Sequence, residues 1–592
     1  MPNKLSKLQR YLTGPARADA LGYGLCVVVY LLATAGTDAH FMGDTPGYTN
    51  AIRAYEHGGA YIWDNPFWEF GHLLWRPLGW LAFHLLRPLT SIFVGADERL
   101  QITLALMWVN WLAGLACVLL LYRLAARVSQ RAWVGLLVTI IFTMSNAFLN
   151  YAQTGCAYVP GLALLLLGME LLARDTNKDE GAPPSNLNAL AAGASLAGAV
   201  CLWFPYVLVL PAALALPLCL ATSTNGRALK PALRATLACA VVGALTYGAV
   251  LAHLGIHNPT QLKAWMAAAG HGYNRTGLTR MLFGLARSFI NMGQDGILFK
   301  RYLLHDPYSP VSLRQLLRAS LWQLALFYLT AAALLLRLLT TRTGGRRMLA
   351  LLALAGAPVF VFALFIFEGG MPERYLPFFP FILLALAYAL AAERAHPAWF
   401  KHLAGCFAVV LIVANMQAMA KLTLQHRQDA VAMRLADLPA RLKPQSLIAT
   451  VHLQDELSEF YFNYPFHPVN RRGQLEVYNV LEPGAARILT WREDFARKAE
   501  AAWAAGGDVW LSRRFFAARP RADWNWVEGD ERRVTWADLP RFFTQFETSD
   551  VVGGADGFVL LPRTSANEQS VGRWAAGASM SGQEPVQANG GR

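Results

Sequence analysis

Charge is scarce in this chain. Asp, Glu, Lys and Arg make up 15% of its 592 residues, against 55% hydrophobic. Soluble domains carry about 25% charged residues, so a chain built mainly of soluble enzyme domains is excluded. The seven cysteines form no CxxC pair and none lies in the polar C-terminal part. A disulfide framework and a thiolate metal site are therefore not implied. No G-x-x-x-x-G-K-[ST] loop and no Rossmann fingerprint occurs, which leaves nucleotide hydrolysis without support. His40, His57, His72 and His84 lack H-E-x-x-H or similar ligand spacing, so interfacial hydrogen bonding is favoured over zinc and no metal is assigned.

What the chain has instead is a series of apolar runs reaching to about residue 419. Crossing a hydrocarbon core takes about 20 helical residues. The stretch 132–169 is free of charge for 38 residues, too long for one crossing and right for two. Its weak point holds Asn146, Asn150, Gln153, Gly155 and Pro160, which mark a turn. By the same reasoning 187–222 divides at Trp203-Phe204-Pro205-Tyr206. Further runs lie at 21–36, 102–122, 235–251, 321–336, 349–367, 376–391 and 403–419, making eleven spans in all. The basic start resembles a signal peptide's flank, but no small-residue cleavage site follows, and it is read as a retained first span.

The net charge of +14 could point to nucleic acid, but the basic residues are spread between apolar runs. Membrane topology accounts for them better, since short cytoplasmic loops accumulate Lys and Arg. Lys4, Lys7, Arg10 and Arg17 precede the first span. Arg123, Arg127 and Arg131 follow the second, Arg227, Lys230 and Arg234 the sixth, and Arg337, Arg342, Arg346 and Arg347 the eighth. All of these clusters fall on one side. The expected architecture is an all-α polytopic membrane bundle over 1–420, with outer loops at about 38–100 and 256–318. A periplasmic α/β domain over 421–574 and a disordered tail over 575–592 complete it. The strand-like pieces SLIATVHL, DVWLSR and GFVLLP alternate with the helical WREDFARKAEAAWAAG there. Trp524 and Trp526 are expected to fill its core rather than to stack on sugar. In a bacterium the protein would be a multi-pass inner-membrane protein with its N-terminus in the cytoplasm.

Acid, His, Tyr and Arg converge in the first outer loop, which opens TDAHFMGDTPGYTNAIRAYEHGG directly after the first span. Residues 71–86 are apolar but contain His72, Arg76 and His84, as an amphipathic helix lying in the interface would. Asp44 with Tyr48 and Ala51 or Ala54, Arg76-Pro77-Leu78, and the span ending LLLYRLAARVSQRAW resemble the GT-C superfamily of polyprenyl-phosphate-sugar glycosyltransferases. The likeness is to the branch of the protein O-mannosyltransferases and the lipid A aminoarabinose transferase. It covers about 38–175, and ERYLPFFP and an outer domain after the last span agree with it. The resemblance implies an inverting sugar transfer from a lipid-linked phosphate donor to an acceptor hydroxyl at the outer face. Asp44 would be the general base, and Arg76 a ligand of the donor phosphate.

Physical chemistry supports these roles separately. A hydroxyl needs a carboxylate to take its proton, and a leaving phosphate needs a fixed guanidinium, for which Arg76 and Arg374 are the candidates. Asp38, Tyr48, His72, Glu373, His271 and Arg275 are candidate supporting residues. Each has a plainer alternative: Asp44 could cap a helix, Asp38 could end the first span, Arg76 could snorkel, and Glu373 and Arg374 could form a local ion pair. The sequence departs from the family in placing Thr45 after Asp44, in having Trp75-Arg76-Pro77 where Lys precedes two prolines, and in having no acid in TGCAY. These departures give a divalent cation no support, and no cofactor is assigned. The expected partners are a polyprenyl-phosphate sugar, an unidentified acceptor and membrane lipid, with no nucleic acid. A transporter or lipid flippase is the alternative, but it would carry ionisable or broken-helix sites at mid-membrane, where these spans are nearly free of charge. A non-catalytic scaffold of the same fold is the third reading.

Overall fold

A computed structural model describes residues 15–58, 67–176, 185–220, 228–268, 277–293, 295–319, 321–341, 343–366, 369–392, 398–435, 438–443, 445–451, 456–467, 476–479, 491–528, 535–553 and 556–576. The chain forms two compact units. One comprises Met1–Gly293 and Leu317–Leu424, the other Gln294–Leu316 and Gln425–Arg592.

In the first unit the helices are α1 (Pro15–Gly36), α2 (Thr45–Glu56), α3 (Trp75–Val94), α4 (Glu98–Ser129), α5 (Ala132–Thr143), α6 (Asn146–Tyr151), α7 (Tyr158–Thr176), α8 (Asn186–Leu202), α9 (Leu210–Leu220), α10 (Leu229–His253), α11 (Pro259–Ala268) and α12 (Leu278–Phe289). After α13 (Asp295–Leu304) and α14 (Leu313–Arg318) come α15 (Leu321–Thr340), α16 (Thr343–Phe365), α17 (Phe379–Ala391), α18 (Ala398–Met419) and α19 (Lys421–Leu435). Within the described residues each apolar run is helical apart from the two breaks below, as a backbone in hydrocarbon requires. Among the described residues, six helices are long and apolar enough to cross a membrane: α4, α10, α15, Gly344–Phe365, Pro372–Ala391 and Trp399–Met419. Ala20–Gly36, Ala132–Thr143, Asn186–Leu202 and Phe204–Leu220 are apolar but shorter. Length and composition thus identify six crossings among the described residues, and the expected count of eleven is not confirmed by them.

Both expected breaks occur. The first run stops at Thr143, makes the single short helix α6, and restarts at Tyr158. The second stops where Trp203 is extended (φ −149°, ψ 107°), followed by a 3-10 turn over Phe204–Val209 that Pro205 helps to start.

The expected interfacial helix is α3, which runs past residue 86 through Pro88 to Val94. Trp75, Arg76, Gly79 and Phe83 face inward. Leu78, Leu81, Leu85, Leu89 and Ile92 are exposed at spacings of three and four, one apolar stripe along the outside. Such a stripe suits a helix lying against lipid. Its first turn is tied down where the Leu74 N–H donates to the Cys201 carbonyl at 2.9 Å.

Buried polar staples hold chain ends together. Asn415 of α18 is fully buried. It donates to the carbonyls of Met144 (2.5 Å) and Phe289 (2.7 Å) and accepts from the Asn291 N–H (2.7 Å). The ends of α5 and α12 are thereby fixed to one side chain.

The second unit takes in α13, most of α14 and most of α19, and contains α20 (Leu438–Arg441), β1 (Leu447–Thr450), α21 (Glu456–Asn463), β2 (Glu476–Asn479), α22 (Trp491–Ala504), β3 (Val509–Ser512), α23 (Asp538–Phe543), β4 (Ser549–Val552), β5 (Phe558–Leu561) and α24 (Ser565–Ala575). The sheet order is β2-β1-β3-β5-β4. β1 runs parallel to β2 and β3, while β5 is antiparallel to β3 and β4. β1 and β3 are buried at all four positions, and so read as continuous apolar runs. β4 is an edge strand with only Val552 buried and a bulge between Ser549 and Val551, which hides it from a periodicity argument. Trp524 and Trp526 are buried around Trp536, as expected of core residues. Of the tail expected to be disordered over 575–592, Ala575 closes α24 and Ala576 caps it, and 577–592 lie outside the described residues.

Replacing Asn415 by Leu would leave two carbonyls and one N–H buried without partners, at about 1–3 kcal/mol for such a group. A thermal melt of the purified protein is expected to show Asn415→Leu clearly less stable, by roughly 3 kcal/mol in all.

Candidate functional site

The chain leaving α1 is fixed at once. Thr37 makes an antiparallel bridge to Ala420, the Asp38 N–H donates to the Met419 carbonyl at 3.1 Å, and the Asp38 carboxylate lies 3.6 Å from Lys421 Nζ. Burial nonetheless raises the proton affinity of Asp38 above the ordinary carboxylate range, with Lys421 opposing it.

The next residues are moulded by the turn between α5 and α7. Asn150 Oδ1 accepts from the N–H groups of His40 (2.8 Å) and Phe41 (3.0 Å), and its Nδ2 donates to the Phe41 carbonyl (2.7 Å). The Thr45 hydroxyl donates to the Met42 carbonyl (2.6 Å) and accepts from the Gly155 N–H (2.9 Å). The Cys156 thiol donates to the same Met42 carbonyl at 3.3 Å. Gly43 has φ +56°, and a Cβ there would lie 2.8 Å from Cys156 Sγ and 3.2 Å from the Tyr151 ring. Only glycine meets both conditions without strain. Trp75 Nε1 donates to the Gly155 carbonyl at 2.9 Å, which joins the start of α3 to the same turn.

Asp44 therefore stands at the entrance of α2. It occupies the capping position (φ −76°, ψ 3°), but its side chain makes no capping bond, so the plain capping role is not what its carboxylate does. That carboxylate accepts at Oδ2 from Tyr158 OH (2.6 Å) and Tyr48 OH (3.1 Å). His72 Nε2 is 4.0 Å from the same oxygen, and both ring nitrogens of His72 lie 3.1 Å from Tyr48 OH. Tyr48 and Tyr158 are buried, whereas 42% of the Asp44 side chain is exposed. Burial first, and then the neighbouring Asp44, lift the Tyr48 phenol well above its ordinary range, so it stays a proton donor.

Behind Tyr48 sits a buried ion pair. Arg76 Nη2 bonds Glu69 Oε2, and its guanidinium lies 5.5 Å from the centre of the Tyr48 ring. Arg76 is 3% exposed, so it points into the protein instead of snorkelling outward. Burial pushes the Glu69 carboxyl up to about 6, with Arg76 opposing the rise and Asp44 adding to it. On another side, Tyr151 OH donates to Glu373 Oε2 at 2.7 Å, and Arg374 Nε is 3.8 Å from Glu373 Oε1. The Tyr151 and Tyr158 rings meet edge to face at 4.9 Å, linking Glu373 to the Asp44 cluster.

The structure thus brings Asp44, Tyr48, His72 and Arg76 together and joins Glu373 and Arg374 to them through two tyrosines. Asp38 is engaged with Lys421. His271 and Arg275, with Tyr273 and Asn274, lie outside the described residues, as does Glu368. Sequence reasoning missed Glu69, Tyr151 and Tyr158. Tyr158 is 114 residues from Asp44 and no spacing rule connects them. Glu69, seven residues before Arg76, carried a weak signal as an acid next to an apolar helix. Among the described residues no group of three or more His, Cys, Asp or Glu is placed to hold a metal ion. Chemically, the arrangement offers a half-exposed carboxylate that can take a proton, with guanidinium groups close by to meet an anion.

No protein-family model and no curated protein matches this chain. Solved structures do resemble it. ArnT from Cupriavidus metallidurans bound to undecaprenyl phosphate is 10% identical with a TM-score of 0.51, over 94% of this chain and 99% of that one. The apo form of ArnT is 12% identical at a TM-score of 0.49, over 93% and 98%. The Archaeoglobus fulgidus oligosaccharyltransferase in its apo form is 13% identical at a TM-score of 0.41, over 92% and 75%. The first of these shows that the chain shares the fold of that ArnT structure.

Gly43→Ala would force a positive φ and a steric conflict at once, costing roughly 2 kcal/mol. Hydrogen exchange is expected to rise in residues 40–45 of that variant while α10 and α15 keep wild-type protection.

Proposed function

We propose that the protein transfers a sugar from a polyprenyl-phosphate donor to an acceptor hydroxyl at the outer membrane face, with inversion at the anomeric carbon. The observation that carries this reading is the Asp44 carboxylate, held by two buried phenols beside a buried guanidinium on a GT-C-like fold. The ArnT structure of that fold holds undecaprenyl phosphate, which supports a lipid-phosphate donor here. The acceptor oxygen attacks the anomeric carbon as the carbon–oxygen bond to phosphate breaks. The bonding pair leaves with the phosphate, and the hydroxyl proton passes to Asp44. Tyr48 and Tyr158 orient the base, and Arg76 and Arg374 meet the phosphate charge that grows in the transition state.

The topology that goes with this has eleven crossings, the N-terminus in the cytoplasm of a bacterium and the C-terminal domain in the periplasm. It is supported by the basic loop clusters and by the break of both long runs. The membrane module then spans 1–420 and the outer α/β domain 421–574. The donor's phosphate would sit at headgroup depth, next to the apolar stripe of α3.

Two predictions test the chemistry. Asp44→Asn keeps the phenol partners and removes the base. Transfer from a polyprenyl-phosphate sugar is expected to fall by at least about a hundredfold, with expression and thermal midpoint unchanged; full activity rejects Asp44 as the base. The second concerns pH. Glu69 binds its proton near pH 6. Below that pH the pair loses its negative member and the full charge of Arg76 is available to the donor. The donor KM is therefore expected to fall as pH drops through 6, and Glu69→Gln is expected to abolish that dependence.

A further inference from the structure

One charged cluster takes no part in the site above. Arg123 and Arg127 of α4 and Arg174 of α7 all turn to Glu170, whose side chain is wholly buried. Their nitrogens lie 2.7, 3.0 and 3.2 Å from a single oxygen, Oε1. Among the described residues Oε2 is buried with no hydrogen-bond partner, and so is Arg127 Nε. A clamp built only to neutralise a glutamate would use both oxygens, since the fork of a guanidinium matches a carboxylate two bonds at a time. Here three cations lean on one oxygen, and the carboxylate holds together groups that would otherwise repel one another. Two positive charges remain in excess. They are not sealed in: the side chains of Arg123, Arg174 and Arg127 are 42%, 34% and 21% exposed.

The surroundings are those of a membrane boundary. The cluster lies in the C-terminal part of α4, a helix long and apolar enough to cross a bilayer. Near the ends of the adjoining helices Trp133 of α5 and Leu187 of α8 are 45% and 75% exposed. A basic cluster at the C-terminal parts of two helices, with exposed apolar side chains at the starts of the helices that follow them, has the chemistry of a phospholipid headgroup site: guanidinium for the phosphate, apolar side chains for the upper chain.

We infer that Arg123, Arg127 and Arg174, held together by Glu170, form a binding site for the phosphate of an anionic phospholipid. The site is separate from the Asp44 cluster, and its test needs no sugar transfer. The full-length protein in neutral detergent is titrated with phosphatidylglycerol and with phosphatidylcholine, and bound lipid is read by native mass spectrometry. Wild type is expected to prefer phosphatidylglycerol by about tenfold or more. In Arg123→Gln/Arg174→Gln the remaining Glu170–Arg127 pair is neutral, and that preference is expected to vanish. Arg123→Gln alone, at the most exposed position, is expected to lose part of it, which keeps the test open should the double variant not fold. A folded variant of either kind with the full wild-type preference overturns the site. Inorganic phosphate at millimolar concentration is expected not to displace the lipid; displacement would show a soluble-anion site and overturn the lipid assignment.

Discussion

The rest of the candidate site depends on the hydrogen bonding of one short loop to one interior turn. Residues 40–45 leave a helix, carry N–H and carbonyl groups into a part of the protein with little water, and must have partners there. Asn150, Gly155 and Cys156 supply them. This turn interrupts a long apolar run because it has polar work to do: its side chains and backbone satisfy another segment's backbone. Without it, Asp44 would have no fixed position, and Tyr158, which starts the next helix, would not reach its carboxylate.

Electrostatics follow from that scaffold. The Asp44 carboxylate is partly exposed, while its hydrogen-bond donors and the Arg76–Glu69 pair are buried. In the proposed reaction the open position is that of the group that would meet an incoming hydroxyl, and the closed positions are those of the groups that hold it in place. Burial strengthens each charge interaction behind Asp44 and pushes the Glu69 carboxyl from the ordinary 4.5 up to about 6. Arg76 is therefore a cation whose counter-charge a proton can withdraw near pH 6, where a solvent-exposed carboxylate would stay ionised.

Much of this was legible in the sequence. The apolar runs, their breaks near Asn150 and Trp203, the amphipathic helix α3 and the buried central strands of the second unit all follow from local pattern, because burial on one face or in a sheet interior is written in neighbouring residues. Asp44, Tyr48 and His72 could be named together because they lie within one loop. Glu69 and the two tyrosines at 151 and 158 could not, since their importance comes from contacts across more than a hundred residues or from a partner whose direction sequence does not give. Arg76 shows the limit most clearly: its charge was evident, but its inward turn toward Glu69 depends on the packing of α3 against α2 and α4. The edge strand β4 was hidden for the opposite reason, as exposure leaves no apolar alternation to read.

The central claim is a chemical step at Asp44, and the reaction itself tests it most directly. Purified protein would be incubated with a panel of polyprenyl-phosphate sugars and a mixture of hydroxyl acceptors, following release of the lipid phosphate and the anomeric configuration of the product. Release of polyprenyl phosphate matched by a glycoconjugate of inverted configuration is expected. Retained configuration, or movement of labelled lipid across vesicles with no glycoconjugate formed, would contradict it.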